Sequence, residues 1–182
     1  MTFEKIVTLK DGRNCLLRNG VASDGQAVLD VFNWTHDETD YLLTYSDENC
    51  FTASQEADFL QRKTDSANNV EIIAVVDDVV AGTAGIDALG MRDKIKHRAV
   101  FGIAITKEFW GLGIGKSLME ACIECAREAG YLQLELEVVA ENERAVEMYR
   151  RAGFIEYGRN PKAFRLRTGE YQELIDMRLE LK

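Results

Sequence analysis

The sequence predicts an α/β domain with a mixed sheet, and three observations lead to this prediction. Short apolar runs rich in β-branched residues alternate with longer segments whose apolar residues recur at helical spacing. In chain order the elements are β, α, α, β, β, β, α, β, α, β, β, which makes a seven-stranded sheet flanked by helices. No repeat, low-complexity tract or Pro/Ser-rich linker divides the 182 residues, so we expect a single domain over 1–182.

The first third of the chain predicts one strand and two helices. Residues 15–18 form a short apolar run, and a helix is predicted over 23–32, whose first residues, Ser and Asp, are typical N-caps. A second helix is predicted after Thr52. The intervening stretch 34–49 is polar and acidic with interspersed aromatic residues, which favours a loop or a broken helix.

Three consecutive strands are predicted next, and they make the sheet mostly antiparallel. The runs 70–76 and 79–86 flank Asp77 and Asp78, a pair that is typical of a tight hairpin turn. After a charged linker, the apolar run 99–105 supplies the third strand, and its Gly102 is typical of a bulge or a close backbone approach.

Two helices and three strands complete the prediction. The first of these helices follows a glycine-rich turn and ends at Gly130, a typical C-terminal stop. The run 132–139 alternates between apolar and polar residues, so it predicts a strand with one wetter face. The remaining elements are a helix over 142–151, which ends before Gly153, and strands that begin at 154 and 171.

The composition narrows the classes of function. The formal net charge is −9, which argues against nonspecific nucleic-acid binding and suits a cationic partner such as an amine. No apolar run approaches the roughly 18–20 residues that span a bilayer. The first residues also lack the apolar core of a signal peptide. We therefore expect a cytoplasmic protein with no nucleic-acid and no membrane partner.

The four cysteines are predicted to be packing residues in a reducing compartment. Cys122 and Cys125 lie inside a helical pattern, whereas a metal or redox site would need a turn there and a second ligand pair. The chain contains only two histidines. We therefore expect no metal site.

The most informative segment is 110–116, with the sequence WGLGIGK. A glycine-rich turn that opens a helix presents free backbone N–H groups and the positive end of the helix dipole, so it predicts a phosphate or pyrophosphate site. A Walker A loop would need a glycine at Trp110, and a dinucleotide-binding turn would need a third glycine near Leu118. A P-loop nucleotide binder is therefore disfavoured.

A wider set of residues is similar to the GCN5-related N-acetyltransferases, the GNAT family. Residues 105–115 resemble motif A of that family, V-x-x-x-x-[RQ]-x-x-G-x-[GA], and residues 142–154 resemble its motif B. The residues that carry the match are Ile105, Gly113 and Gly115 in the first motif and Asn142, Ala145, Tyr149, Gly153 and Phe154 in the second. The resemblance extends over about 70–181. The region 158–171 is similar to the bacterial branch that modifies ribosomal-protein N-termini, antibiotics and small amines.

The resemblance implies a GNAT fold whose central strands splay apart around acetyl-CoA. It implies an acetyl-CoA-binding core at about 70–158 and acceptor-side N-terminal helices at about 20–67. The residues implied to bind acetyl-CoA are Ile103, Ala104, Ile105, Gly111, Leu112, Gly113, Ile114, Gly115, Lys116 and Asn142. Because Trp110 replaces the family's Arg or Gln, we expect a cradle made mostly of backbone N–H groups, with Trp110 packed against the fold.

The resemblance also implies direct attack of an amine on the thioester, without a covalent enzyme intermediate. Tyr149 matches the family's general acid, since a phenol with a pKa near ~10 can protonate a departing thiolate. Glu137 matches the glutamate that serves as base in ribosomal-protein N-terminal acetyltransferases of the family. Glu135 on the same strand face, or a chain of water molecules, is an alternative base.

The implied acceptor is a primary amine, either a small molecule or a protein N-terminus. Residues 34–59 are expected on the acceptor side, where carboxylates beside aromatic rings suit a cationic amine. A solvated acidic loop is the alternative interpretation of that stretch. The competing function is a catalytically silent acetyl-CoA-binding module, against which the presence of Tyr149 argues. The sequence leaves open whether the protein forms a homodimer.

Overall fold

Strand pairing in the computed structural model, which describes residues 1–181, joins eight strands into one sheet. The strands are β1 (Glu4–Thr8), β2 (Asn14–Asn19), β3 (Val70–Val76), β4 (Val79–Ala88), β5 (Arg98–Ile105), β6 (Gln133–Val139), β7 (Ile155–Arg165) and β8 (Tyr171–Glu180). The helices are α1 (Gly25–Glu38), α2 (Ala53–Asp65), α3 (Ile114–Glu128) and α4 (Glu143–Arg151). Short 3-10 turns lie at Ala22–Asp24, Ser46–Glu48 and Lys107–Phe109. The predicted α/β class with a mixed sheet is confirmed.

The sheet has one strand more than the seven predicted, because the sequence does not reveal β1. This strand lies at the edge of the sheet and pairs antiparallel with β2. Four of its five residues are exposed, so neither face carries the apolar alternation that predicts a strand. Backbone pairing with β2, rather than burial of side chains, makes this segment a strand.

Helices cover both faces of the sheet, whose strand order is β1-β2-β3-β4-β5-β6-β8-β7. On one face α1 and α2 pack around a small apolar cluster of Val28, Val31, Leu60, Ile73 and Val80. On the other face α3 and α4 contribute to the larger part of the core. Three cysteines, Cys15, Cys122 and Cys125, are buried in that larger part, as predicted for packing residues. The same prediction is wrong for Cys50, which is exposed.

The two central strands separate along their length. β5 and β6 are the parallel pair of the sheet, and they pair only from Arg98–Val100 to Gln133–Glu135. Beyond this point β5 continues to Ile105 alongside β4, while β6 continues to Val139 alongside β8. The expected splay of the central strands is therefore confirmed, and it opens a gap in the middle of the sheet.

Local details near the gap both support and correct the sequence predictions. Asp77 and Asp78 have positive φ angles of 49° and 64°, as a tight hairpin turn requires. Helix α1 extends to Glu38 rather than Phe32, and Thr35 on its last turns is buried. The stretch 34–49 therefore begins as helix and becomes a loop only after Glu38. Gly102 does not mark a bulge, since the β4–β5 register is continuous around it.

None of the helices in the described part of the chain is long and apolar enough to cross a membrane.

Candidate active site

The turn between β5 and α3 presents a row of unpaired backbone N–H groups. Gly111 and Gly113 have φ angles of 86° and 99°, which residues with a side chain rarely adopt. The first hydrogen bond of the helix runs from the Ser117 N–H to the Gly113 carbonyl (3.2 Å), and no side chain caps this helix end. Within residues 1–181, the N–H groups of 111–116 donate to no backbone or side-chain acceptor. Such a row at a helix N-terminus favours a bound anion.

The turn is held in place from behind and is open in front. The Lys10 N–H donates to the Leu112 carbonyl at 3.1 Å, which ties the turn to the β1–β2 hairpin. A Cβ atom built on Gly113 would have no heavy atom within 4 Å. The space above Gly113 is thus free for a ligand that approaches the backbone closely, as a pyrophosphate cradle requires.

Trp110 joins the turn to the end of β5 and to α4. Its indole N–H donates to the Ile105 carbonyl at 2.6 Å. The Arg144 guanidinium lies over the indole ring, 5.4 Å from its centroid, and Arg144 Nη2 lies 3.6 Å from where a Gly111 Cβ would stand. Trp110 is 37% exposed, so it packs against the fold only in part, and it brings a cation to the turn. Arg144 is not among the site residues predicted from the sequence, although its place two residues after Asn142 in the second motif offered a signal.

A cavity of about 880 Å³ connects the turn to the gap between β5 and β6. The predicted site residues that line it are Ile103, Ala104, Ile105, Gly111, Gly113, Ile114, Gly115, Lys116, Glu137, Asn142 and Tyr149. Leu112 does not line the cavity, and its carbonyl is bound by Lys10. Ile105 is among the residues implied to bind acetyl-CoA, but its carbonyl already accepts the Trp110 indole N–H.

Tyr149 lies on the wall formed by α4 and is 6% exposed. Its ring packs against Phe101 and Phe154, with centroid distances of 6.2 and 5.8 Å. Burial raises the pKa of Tyr149 above its usual value, because the charged phenolate is poorly solvated there. This phenol therefore stays protonated at neutral and moderately alkaline pH, as a proton donor must.

The two glutamates of β6 lie on the same strand face but in different environments. Glu135 is 7% exposed, and Arg98 binds both of its carboxylate oxygens, with 2.7 Å between Arg98 Nη2 and Glu135 Oε2. Glu137 lies beyond the point where β5 leaves β6, is exposed and lines the cavity. The alternative base, Glu135, is thus occupied by an ion pair, while Glu137 is accessible.

Asn142 begins α4 at the edge of the cavity. Its side-chain oxygen accepts the Ala145 N–H at 3.3 Å, so it caps the helix. The amide nitrogen of the side chain donates to no protein acceptor among the described residues and can serve a ligand.

The opposite end of the cavity is formed by the end of α1, the loop after it, and strands β7 and β8. Its lining residues are Thr35, Thr39, Tyr41, Leu42, Leu43, Phe164 and Leu174. No carboxylate of residues 34–59 lines this cavity, although Asp40 lines an adjoining pocket of about 160 Å³. Two of the acidic residues hold the loop in place. Glu38 accepts the Lys107 N–H at 2.7 Å, and Asp47 pairs with Arg167 at 2.6 Å. The expectation that the carboxylates of 34–59 face the acceptor is not met.

Comparison with known proteins agrees with this geometry. The sequence model of the acetyltransferase (GNAT) family matches residues 29–154. The L-amino acid N-acetyltransferase of Escherichia coli is 31% identical over 118 residues, which cover 64% of this chain and 72% of that protein. A GNAT-family acetyltransferase from Streptococcus pneumoniae superposes with a TM-score of 0.87 at 26% identity, covering 91% of this chain and 99% of that one. A Salmonella typhimurium structure that contains acetyl-CoA has the same fold, with a TM-score of 0.82 at 16% identity, covering 93% and 95%.

Proposed function

Because the chain belongs to the acetyltransferase (GNAT) family, we propose that it transfers an acetyl group from acetyl-CoA directly to a primary amine. The amine belongs to a small molecule or a protein N-terminus, and the reaction takes place in the cytoplasm. One observation carries the proposal: a single cavity joins the unpaired N–H groups of the glycine turn to Tyr149 and Glu137 in the gap of the sheet. A phosphate site and two proton-transfer groups are what the reaction needs.

The glycine turn suits the pyrophosphate of CoA. Its free N–H groups donate hydrogen bonds to phosphate oxygens, and the open space at Gly113 lets the phosphates reach the backbone. Arg144, held over the Trp110 ring, supplies a positive charge beside the turn, where the family motif has Arg or Gln and this chain has Trp110. The unpaired edges of β5 and β6 then offer backbone groups to the pantetheine arm.

Two side chains carry the proton transfers. Glu137 accepts a proton from the incoming ammonium group and passes it to solvent, because the carboxylate is exposed. The amine nitrogen bonds to the acetyl carbon, the carbon–sulfur bond breaks, and Tyr149 donates its proton to the departing sulfur. The nitrogen loses its second proton to solvent through Glu137, and solvent returns a proton to the Tyr149 phenolate. The products are the N-acetylated amine and CoA, with no acyl group on the protein at any stage. The raised pKa of Tyr149 keeps the phenol protonated before the reaction, and it also makes the phenol a weaker acid towards the departing thiolate.

The test combines thiol release from acetyl-CoA with two tyrosine variants. An amine panel identifies an acceptor, and Tyr149→Phe is expected to lower kcat roughly 100-fold, because one proton donor is lost. Its affinity for acetyl-CoA, measured by calorimetry, should be unchanged. Tyr171→Phe is the control, since Tyr171 is half-exposed on β8 and does not line the cavity.

Two results would contradict the proposal. Full turnover by Tyr149→Phe would remove Tyr149 as the acid. Acetyl-CoA binding without thiol release for any amine in the panel would favour the alternative function, a catalytically silent acetyl-CoA-binding module.

A further inference from the structure

The basic residues that line the cavity are grouped at its cofactor end or already paired. Lys10 and Lys116 flank the glycine turn, and Arg144 lies over Trp110 beside it. Arg151 lies on α4, where it is bound to Glu147 at 2.8 Å. Among the described residues, no lysine or arginine lines the acceptor end.

Two of the three carboxylates that line the cavity lie close to a basic side chain, and the third, Glu137, does not. Glu120 lies 3.6 Å from Lys116, and Glu147 is bound to Arg151. Glu137 has no ion-pair partner within residues 1–181. The cavity therefore contains one carboxylate that is free to meet a cation, and it lies at the gap in the sheet.

The wall beyond Glu137 includes four large apolar side chains. They are Leu42 and Leu43 from the loop after α1, Phe164 from β7 and Leu174 from β8. Leu42, Leu43 and Phe164 also line an adjoining pocket of about 160 Å³, whose charged side chains, Asp40 and Arg165, do not line the cavity itself. A substituent that stays within the cavity thus contacts these hydrocarbon side chains and no charged group beyond Glu137.

We propose that the acceptor is a primary monoamine whose substituent is uncharged and apolar, an inference that rests on the proposed function. Glu137 pairs with the single ammonium group, and the leucine and phenylalanine side chains cover the alkyl or aryl substituent. A carboxylate on the acceptor would be desolvated among apolar groups and repelled by Glu137. A second ammonium group would be desolvated there without a free carboxylate to pair with.

Matched amine pairs test this charge selection. 2-Phenylethylamine and phenylalanine differ by one carboxylate, and hexylamine and 1,6-diaminohexane differ by one terminal ammonium group. We expect kcat/KM to be at least roughly 10-fold higher for the first member of each pair. Phenylalaninamide, which keeps the phenylalanine skeleton without the negative charge, should be used better than phenylalanine. Equal or better use of phenylalanine or 1,6-diaminohexane would overturn the inference while leaving the acetyl transfer itself intact. Absence of thiol release with every amine would instead count against the proposed function.

An arginine introduced at the acceptor end tests whether the substituent of the amine binds against this wall. Leu43 is 79% exposed at the acceptor end, so Leu43→Arg should fold and should place a positive charge beside the apolar wall. We expect the ratio of kcat/KM for phenylalanine to that for 2-phenylethylamine to rise severalfold in this variant. Leu132→Arg, at a 59% exposed leucine that does not line the cavity, should leave the ratio unchanged. An unchanged ratio in Leu43→Arg would overturn the assignment of this wall to the substituent.

Discussion

The two ends of the cavity are built from different parts of the polypeptide. The cofactor end consists mainly of backbone N–H groups in one continuous turn, 111–116, which Lys10 holds from behind. The acceptor end consists of side chains from α1, the loop after it, β7 and β8. Backbone N–H donors are the same whatever the neighbouring side chains are, so the cofactor end suits a chemical group that is the same in every reaction, such as a pyrophosphate. Side chains can vary independently, so the acceptor end is where specificity is determined.

The largest effect is expected where a side chain intrudes on the backbone cradle. Gly113→Leu should weaken acetyl-CoA binding at least roughly 100-fold in calorimetry, because its Cβ and the atoms beyond it occupy the open space above the turn. The variant also acquires about 1–2 kcal/mol of strain from its positive φ. Gly130→Leu is the matched control, since Gly130 has φ 80°, lies just beyond the other end of α3 and has equally open surroundings. If both variants bind acetyl-CoA equally well, the cofactor end does not depend on backbone approach.

An intermediate effect is expected at Glu137, where the two ends meet. Glu137→Gln should lower kcat/KM for the amine roughly 10- to 100-fold near neutral pH, because the ammonium group loses its proton acceptor. The deficit should shrink as the pH rises towards the pKa of the amine, since more acceptor then arrives already neutral. Measured pH–rate profiles of the variant and the wild type check this.

Glu135→Gln provides the control on the same strand face. Because Glu135 is bound by Arg98, this change should lower the melting temperature and leave the shape of the pH–rate profile unaltered. A profile shift in Glu135→Gln but not in Glu137→Gln would exchange their roles.

The smallest effect is expected from Arg144, the cation of the cavity lining that lies over the Trp110 ring. Arg144→Gln should raise KM for acetyl-CoA roughly 3- to 10-fold without changing kcat, because a charge-assisted contact to phosphate is lost at an exposed site. Added salt should narrow the difference between variant and wild type. Arg150→Gln is the control, since Arg150 lies on the same helix and pairs with Glu156 away from the cavity. Equal KM values in all three proteins would mean that backbone groups alone hold the phosphates.

The same contrast explains why the sequence predicted the cofactor end of the cavity and not the acceptor end. The glycine spacing and the second motif predicted the cofactor end, because a backbone site needs glycines at fixed intervals that are visible in the sequence. The acceptor end draws on residues more than 100 positions apart, such as Leu42 and Phe164, and no local pattern reveals that they meet. The acidic loop residues looked like amine-binding groups, but Glu38 and Asp47 are used in bonds that hold the loop.

Other features depend on where the fold places a residue, which the residue type alone does not reveal. Glu135 and Glu137 lie on the same face of an alternating strand, so the sequence does not distinguish them. In the structure the pairing of β5 with β6 ends at Glu135, and Glu137 lies beyond it in the gap. The position of Arg144 in the second motif is visible in the sequence, but only the fold shows that its guanidinium lies over Trp110. Strand β1 could not be predicted because its side chains are mostly exposed and only its backbone pairing orders it.

The separation of β5 and β6 leaves two sheet edges inside the molecule rather than at its rim. Outer edges are commonly shielded because their free backbone groups can recruit a foreign strand. Here alternate backbone groups of 101–105 and 136–139 face an open gap, and the Ile105 carbonyl among them accepts the Trp110 indole N–H. The protein without substrate thus carries an interrupted hydrogen-bond ladder at its centre. A ligand that binds in the gap and pairs with both edges completes that ladder. The same ligand therefore shields the two edges from pairing with a foreign strand.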